Sequence, residues 1–273
     1  MILKLKYHKN KFLILILCIF SITINQYYGN LGVFPLDSFI IFDAGYNIIS
    51  GNHPFKDYWS ITGPFLDYFQ SIIFLIFGIN WFSYVLHGSI INMAITIFSF
   101  YFFFKIGLKP IYAFIYSLGI AVLAYPSAGT PFMDHHAVIF SVMSMYCLIL
   151  GILLKKNVFW FLIPLFLLFS FFSKQIPSAY LILLFSFIIF FYFIKNIKKS
   201  NILFLFYGII FSLLMISVLF YINKIPVSNF LVQYILYPIS LGEERIGLLN
   251  LDLKNSFSQF KFIYISIIPI IAC

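Results

Sequence analysis

The sequence predicts an all-α protein: a polytopic bundle of transmembrane helices that forms a single domain over residues 1–273. Hydrophobic residues make up 63% of the chain and charged residues only 9%, whereas soluble domains carry about a quarter charged residues. The apolar residues also come in long runs. A helix crosses a bilayer with about 20 apolar residues, and roughly 17 can suffice. Lipid is therefore the predicted surrounding of most of the chain.

Eight apolar runs meet this length criterion and set the order of the predicted spans. They cover residues 12–28, 81–104, 111–128, 135–154, 158–174, 176–194, 201–222 and 259–273. The first run follows a basic segment but has no small-residue cleavage site behind it, so it predicts a retained span and not a signal peptide. The last run is still apolar at Cys273, and we expect the chain to be the N-terminal part of a longer protein.

The distribution of charge between these spans predicts their orientation. With a cytoplasmic N-terminus, the inside segments hold eleven of the seventeen basic residues, as the positive-inside rule expects. The outside segments then hold all eight acidic residues, although acids that merely avoid lipid would lie on both sides. Short lysine clusters between spans are topology signals, so the net charge of +9 does not indicate nucleic-acid binding. A composition rich in Ile, Phe, Lys and Asn is what an AT-rich genome encodes, and we expect a bacterial inner membrane.

The first outer segment, residues 29–80, is predicted to hold two short helices. The run 65–78 is apolar but only 14 residues long and contains Asp67 and Gln70. Counting it as a span would move four lysines outside, so we expect an amphipathic helix on the outer interface. Asp37 precedes the first of the two helices, where it is either an N-cap or a functional carboxylate.

A second polar group stands at the start of the span 135–154. Asp134, His135 and His136 follow one another there. Neighbouring histidines point about 100° apart on a helix, so they do not both bind one ion by default. One histidine together with Asp134 could bind a metal ion or a phosphate. The alternative is an Asp N-cap with two interfacial histidines.

Two further polar groups are predicted on the same side of the membrane. Lys174 and Gln175 interrupt two apolar runs, and a lone lysine at the outer surface sits where a lipid phosphate would lie, unless it merely snorkels. Arg245 offers a planar fork for a carboxylate or phosphate, or it belongs to a solvated cluster of charges. These groups together suggest a reaction at the outer interface on a lipid-borne anionic substrate.

The order of short motifs in the first outer loop narrows the class of protein further than composition does. The loop contains Asp37-Ser38, a helix, the stretch Gly51-Asn52-His53-Pro54-Phe55-Lys56-Asp57, then Gly63-Pro64-Phe65 and Phe77-Gly78. This order resembles the start of the GT-C membrane glycosyltransferases, in particular the family-39-like group that includes protein mannosyltransferases and the lipid A aminoarabinose transferase. The likeness covers residues 30–104 and is supported only by topology beyond them. Ser38 stands where these proteins have a second acid, and Asp43 or Asp134 would have to replace it.

The resemblance implies a GT-C-like fold and an inverting transfer of sugar from a polyprenyl-phosphate carrier to an extracytoplasmic acceptor, which is a lipid, a glycan or a protein. Asp37 would be the general base. The departing phosphate would need positive charge or a divalent metal ion, with His136 as the candidate metal ligand. The residues expected to bind substrate or phosphate are Asp43, Lys56, Asp57, Asp134, His135, Lys174, Gln175 and Arg245.

Two other classes of protein compete with the enzyme. A transporter or flippase for a lipid-linked or anionic substrate would place charge near mid-bilayer on broken helices and show repeats, and neither pattern is visible. A non-catalytic membrane scaffold is favoured by Ser38 and by the early end of the chain. The spacing from Asp37 to Gly51 favours the enzyme, because a scaffold does not need it.

Overall fold

A computed structural model describes residues 2–33, 37, 39–196, 198–248, 257–258 and 260–271, without the side chains of residues 2–10, 243–248, 266 and 269–271. These residues form helices and no β-strand, which confirms the all-α prediction for the described part of the chain. The helices are α1 (Ile2–Gly29), α2 (Ile40–Ile49), α3 (Pro64–Phe77), α4 (Trp81–Lys105), α5 (Pro110–Leu123), α6 (Met133–Leu154), α7 (Asn157–Phe171), α8 (Gln175–Lys195), α9 (Lys199–Asn223), α10 (Val227–Phe230), α11 (Tyr237–Leu248) and α12 (Lys261–Ile271), with a π-helical stretch, Leu231–Leu236, between α10 and α11.

Five of these helices are long and apolar enough to cross a membrane. They are Lys11–Gly29 within α1, then α4, α6, α8 and α9. The other predicted spans correspond to shorter helices: α5 has 14 residues, α7 has 15 and α12 has 11. The five long helices indicate a membrane protein, and the count of eight spans stays a prediction.

The helix ends form two groups that differ in charge. At one end, Trp81 Nε1 donates to the Gly29 carbonyl (3.0 Å) and joins the end of α1 to the start of α4. We call this the acidic end, because it holds the described acidic side chains Asp37, Asp43, Asp57, Asp67 and Asp134. At the opposite end, Lys198 Nζ donates to the Lys155 carbonyl (3.3 Å). We call this the lysine end; it holds Lys105, Lys109, Lys155, Lys156, Lys195, Lys198 and Lys199.

Local sequence explains where the helices of the acidic end begin. The Asn80 side chain accepts from the Ser83 N–H (2.9 Å) and Ser83 Oγ contacts the Asn80 N–H, so the two residues form a capping box for α4. Pro64 occupies the first turn of α3, where its missing N–H costs no helical hydrogen bond. These signals fix the short connection between α3 and α4.

Helix α3 turns its polar residues inward and its apolar residues outward. Asp67 and Gln70 have no exposed surface, while Ile72, Leu75 and Ile76 are 51–70% exposed. The polar face of this amphipathic helix therefore packs against the rest of the bundle, and its position on the outer interface stays a prediction. Buried polar groups find partners within a bundle, whereas lipid accepts apolar side chains, so α3 has the polarity of a helix at a lipid-facing edge.

The chain before α3 is tied to the α7–α8 junction through its backbone. The Gly63 N–H donates to the Ser173 carbonyl (3.3 Å), and the Phe65 N–H donates to the Phe172 carbonyl (3.0 Å). A Cβ on Gly63 would lie 1.8 Å from the Phe172 carbonyl oxygen. Only glycine permits this approach, which brings the segment before α3 against Lys174 and Gln175.

We expect Gly63→Ala to lower the melting temperature and folded yield of the purified protein, because its methyl group would force two backbone segments apart. Gly119→Ala is the matched control: a Cβ there meets no atom within 4 Å, and alanine favours a helix by about 1 kcal/mol over glycine. Thermal unfolding in detergent, read by gel filtration, measures both. Equal melting temperatures would contradict the close approach at Gly63.

Candidate functional site

A compact turn at residues 53–58 presents polar side chains at the acidic end. Asp57 Oδ2 accepts from the His53 N–H (2.8 Å) and lies 3.5 Å from Lys56 Nζ. The turn is anchored by Phe55, which is fully buried and has a positive φ of 66°. Asn229 Nδ2, from α10, donates to the Phe55 carbonyl (2.9 Å). Lys56 and Asp57, two of the predicted site residues, are thereby held together.

The charge state of this turn follows from its contacts. The hydrogen bond from the His53 N–H is the main cause that lowers the pKa of Asp57. Burial, followed by the charge of Lys56, lowers the pKa of His53. Tyr68 Oη lies 3.1 Å from His53 Nδ1, and burial raises the pKa of that tyrosine, so its hydroxyl keeps its hydrogen. At neutral pH the turn thus carries an ion pair beside a neutral imidazole.

A second ion pair joins two predicted site residues from different helices. Lys174 Nζ lies 2.5 Å from Asp134 Oδ1, and the two side chains are 40% and 48% exposed. An ion pair this exposed contributes about 0–1 kcal/mol, because water screens it. The Lys174 ammonium group has three N–H donors, so it can still bind a ligand while it contacts Asp134. The neighbouring Gln175 has a structural contact: its Nε2 donates to the Tyr234 carbonyl (2.7 Å).

The two aspartates that could have been helix caps are not caps. The N-cap residue of α2 is Phe39 and that of α6 is Phe132, and neither helix has a side-chain cap bond. Asp37 lies half-buried before α2, and its carbonyl accepts from the Ile40 N–H (3.4 Å). Asp134 lies in the first turn of α6. Both carboxylates are thus left for another role.

The remaining predicted residues are more dispersed. Asp43 is exposed on α2, 3.4 Å from Asn47 Nδ2. His135 Nε2 lies 3.1 Å from Ser127 Oγ. The side chain of Arg245 and the whole of Ser38 lie outside the described residues. The structure therefore gathers Lys56 with Asp57 and Asp134 with Lys174, but it gives no contact between Asp37 and either pair.

Asp67 is a carboxyl group that sequence reasoning did not select. It is fully buried on α3; its Oδ2 lies 3.4 Å from Tyr58 Oη, and its Oδ1 meets no hydrogen-bond partner within the described ranges. Burial raises the pKa of Asp67 to about 7, although the Tyr58 hydrogen bond acts in the opposite direction. A carboxyl in this range can both take and give a proton near neutral pH. Asp67 and Gln70, three residues apart inside an apolar run, were the available signal.

A buried chain of hydrogen bonds begins one turn further along α3. Gln70 Oε1 lies 2.9 Å from His87 Nδ1, His87 Nε2 lies 2.9 Å from His136 Nε2, and His136 Nδ1 lies 2.8 Å from Tyr125 Oη. The Phe132 N–H donates to Tyr125 Oη (2.8 Å). With Gln70 Oε1 as acceptor and both imidazoles neutral, the bonds are consistent when His87 carries its hydrogen on Nδ1 and His136 carries its hydrogen on Nε2.

These hydrogen bonds occupy the ring of His136, the residue predicted to be a metal ligand. Both ring nitrogens of His136 have hydrogen-bond partners, and the residue has no exposed surface. Among the described residues, no group of three or more His, Cys, Asp or Glu side chains could hold a metal ion. Metal binding by His136 stays a prediction that would require it to leave His87 and Tyr125.

An apolar groove of about 310 Å³ lies between α3, α7 and α9. Tyr68, which contacts His53, is one of its lining residues and its polar edge. The rest of its lining is apolar: Pro64, Phe65, Phe69, Ile72, Leu168, Phe169, Phe172, Met215, Ile216 and Leu219. The groove is thus apolar along its length, and Tyr68 joins it to the polar turn at residues 53–58 through His53.

Comparisons of the chain with protein-family models, with curated proteins and with solved structures found no match.

We expect Asp67→Asn to raise the melting temperature by more at pH 8 than at pH 5, because the stability lost through the carboxyl accumulates between its unfolded pKa of 3.8 and its folded pKa of about 7. The folded protein binds the Asp67 proton more tightly than the unfolded chain does, since the pKa rises from 3.8 to about 7 on folding. Stability therefore falls as pH rises through that window, and removal of the carboxyl abolishes this loss. Thermal unfolding at both pH values tests this, with Asp43→Asn as the exposed control. A pH-independent effect of Asp67→Asn would contradict it.

Proposed function

We propose that this chain is a GT-C-type membrane glycosyltransferase, which moves a sugar from a polyprenyl-phosphate carrier to an acceptor outside the cytoplasm. The observation that carries the proposal is the apolar groove between α3, α7 and α9, because one of its lining residues, Tyr68, contacts His53 in the turn that also holds Lys56. An isoprenoid chain needs an apolar channel open to lipid, and its phosphate needs hydrogen-bond donors at the end of that channel. In this proposal the acidic end faces the exterior of a bacterial inner membrane.

Two lysines supply the charge for the phosphate. A lysine ammonium has three N–H donors. Lys56 and Lys174 each contact one carboxylate, Asp57 and Asp134 respectively, so donors remain for phosphate oxygens. A divalent metal ion is the other source of positive charge. Asp134 and the neighbouring His135 suit it, since His135 Nδ1 is buried and has no partner in the described part of the chain.

Asp37 is the general base in this scheme. It takes the proton of the acceptor hydroxyl while the hydroxyl oxygen attacks the anomeric carbon. The bond from that carbon to the carrier phosphate breaks, and its electron pair leaves with the phosphate oxygen, so the configuration inverts. The developing positive charge on the sugar is stabilised by nearby carboxylates. Asp37 suits this role because it is half-buried at the acidic end and does not cap α2.

A proton-coupled flippase for a lipid-linked anionic substrate is the second candidate. The observation that favours it is Asp67, buried beside the groove-lining Tyr68, together with the His87–His136 pair inside the bundle. Buried ionisable groups of this kind mark proton pathways in transporters. The two candidates share the lipid-borne substrate and differ in whether a covalent bond is broken.

Consumption of polyprenyl-phosphate sugar, measured in membranes that carry the full-length protein, tests the enzyme. We expect Asp37→Asn to lower turnover by about a hundredfold or more at matched expression, the usual scale for a general base. Tyr46→Phe, a conservative change at an exposed position of α2, is the matched control and should retain turnover.

Equal turnover in wild type and Asp37→Asn would remove Asp37 from the chemistry and transfer the role to Asp43 or Asp134. If several carrier-linked sugars are not consumed, but a lipid-linked substrate crosses vesicles in a way that depends on Asp67, the flippase replaces the enzyme. If neither sugar transfer nor lipid transport is detected, the remaining interpretation is a non-catalytic membrane scaffold.

A further inference from the structure

The lysine end contains a polar pocket that the proposed reaction does not use. The pocket has a volume of about 230 Å³ and is lined by Lys155, Tyr192, Asn196, Lys198 and Asn201. It lies where the α6–α7 turn meets the end of α8 and the start of α9. The acidic end, with Asp37 and both ion pairs, is at the opposite side of the bundle.

Asn201 is the residue that points to a ligand. It is 1% exposed, and neither its Oδ1 nor its Nδ2 has a partner within the described ranges. A buried amide that makes no hydrogen bond destabilises the folded state, so native proteins rarely retain one. Ser200 Oγ and Asn157 Oδ1, at the start of α9 and α7, are also buried without a partner there. Two unpartnered polar atoms thus belong to a residue that lines the pocket, and two more lie in the first turns of the helices that begin at this end.

The charge at this pocket selects an anion. Lys155 and Lys198 line it, and the Lys198 ammonium is held near the Lys155 carbonyl. None of the described acidic side chains lies at this end. Helices α7 and α9 both begin here, and neither has a side-chain N-cap bond, so their first N–H groups and positive dipole ends are directed toward the same region.

The unpartnered atoms also restrict the kind of anion. Asn201 Nδ2 and the lysines are donors and suit phosphate oxygens, whereas Asn201 Oδ1 is an acceptor and needs a hydroxyl or amine. Helix α8, which forms one wall through Tyr192 and Asn196, exposes the apolar side chains of Phe190, Phe191 and Ile194 on the outer surface of the same two turns. A ligand that combines a phosphate, a hydroxyl and an apolar tail satisfies all three surfaces.

We propose that the pocket at the lysine end binds the headgroup of an anionic phospholipid, through a phosphodiester and a headgroup hydroxyl. The phosphate accepts from Lys155, Lys198 and Asn201 Nδ2, and the hydroxyl donates to Asn201 Oδ1. The acyl chains lie against α8. Basic pockets between transmembrane helices bind anionic headgroups in this manner.

Short-chain dioctanoyl phosphatidylglycerol, titrated onto the purified chain in neutral detergent, is the test ligand, and Asn201→Leu is the decisive variant. Leucine has a similar volume and removes two unpartnered polar atoms, so we expect a higher melting temperature without lipid. The affinity for the lipid should nevertheless fall by about tenfold, as it should for Lys198→Ala. Lys109→Ala, at the same end but outside the pocket, should bind as wild type does. An asparagine with a structural role would instead lower the melting temperature when replaced.

Two further ligands separate the possible sources of phosphate. Dioctanoyl phosphatidylcholine should bind wild type more weakly than dioctanoyl phosphatidylglycerol does, because it keeps the phosphate but has no hydroxyl to donate to Asn201 Oδ1; equal affinity for the two lipids would contradict the headgroup proposal. If inorganic phosphate alone stabilises wild type but not Asn201→Leu, and the lipid gives no more, the site belongs to a soluble phosphate and the headgroup proposal is wrong. Equal lipid affinity in wild type, Asn201→Leu and Lys198→Ala overturns it as well. None of these readouts depends on glycosyl transfer, so this proposal and the proposed function can fail separately.

Discussion

A polar side chain inside a bilayer has to find its hydrogen-bond partner within the protein, and this requirement organises the bundle. Asn25 of α1 donates to Ser89 of α4 (3.0 Å) and to the Gly129 carbonyl (3.1 Å). Asn92 donates to the carbonyls of Ser21 and Ala121, at 3.0 and 2.9 Å. Each bond joins elements distant in sequence. Apolar packing alone discriminates weakly among helices in lipid, so these bonds determine which helices are neighbours.

The same requirement explains why the functional candidates cluster. Helix α3 exposes an apolar face, and its polar residues turn toward α2 and α4. Asp67 and Gln70 are buried by that rotation, and the exposed face that remains is apolar. The first outer loop has to follow, because Gly63 holds it against the α7–α8 junction. Burial of Asp67 and the position of Lys174 beside this loop are thus two results of one packing arrangement.

Much of the fold could be predicted from sequence because it depends on local patterns. The long apolar runs and the Asn80–Ser83 signal determine helices without reference to the rest of the chain. The separation of the acidic residues from most of the lysines can also be predicted, because successive helices carry the chain back and forth between the acidic end and the lysine end. The pairing of Asp134 with Lys174 joins positions that only folding brings together, so no spacing rule predicts it.

The inward face of α3 illustrates a second limit. A periodic pattern shows that a helix has two faces, but it does not reveal whether water or lipid meets the outer one. The capping interpretations of Asp37 and Asp134 failed for a related reason. The residue that begins a helix depends on where the preceding chain arrives, and here Phe39 and Phe132 occupy those places. The side-chain type alone did not distinguish a cap from a free carboxylate.

The hydrogen bonds through the two buried histidines, His87 and His136, can run in either of two donor-to-acceptor directions. Each imidazole in the chain gives one hydrogen and receives one, so rotation of the Gln70 amide by half a turn would require every later bond to reverse. The reversed order has an acceptor ready at its far end, since His136 Nδ1 lies 3.1 Å from the Phe132 carbonyl. The two orders share the same heavy-atom positions and differ at Tyr125, whose hydroxyl donates to His136 Nδ1 in the first order and not in the second. The orientation of one amide on α3 is thereby transmitted to the residues just before Asp134 without any movement of the backbone.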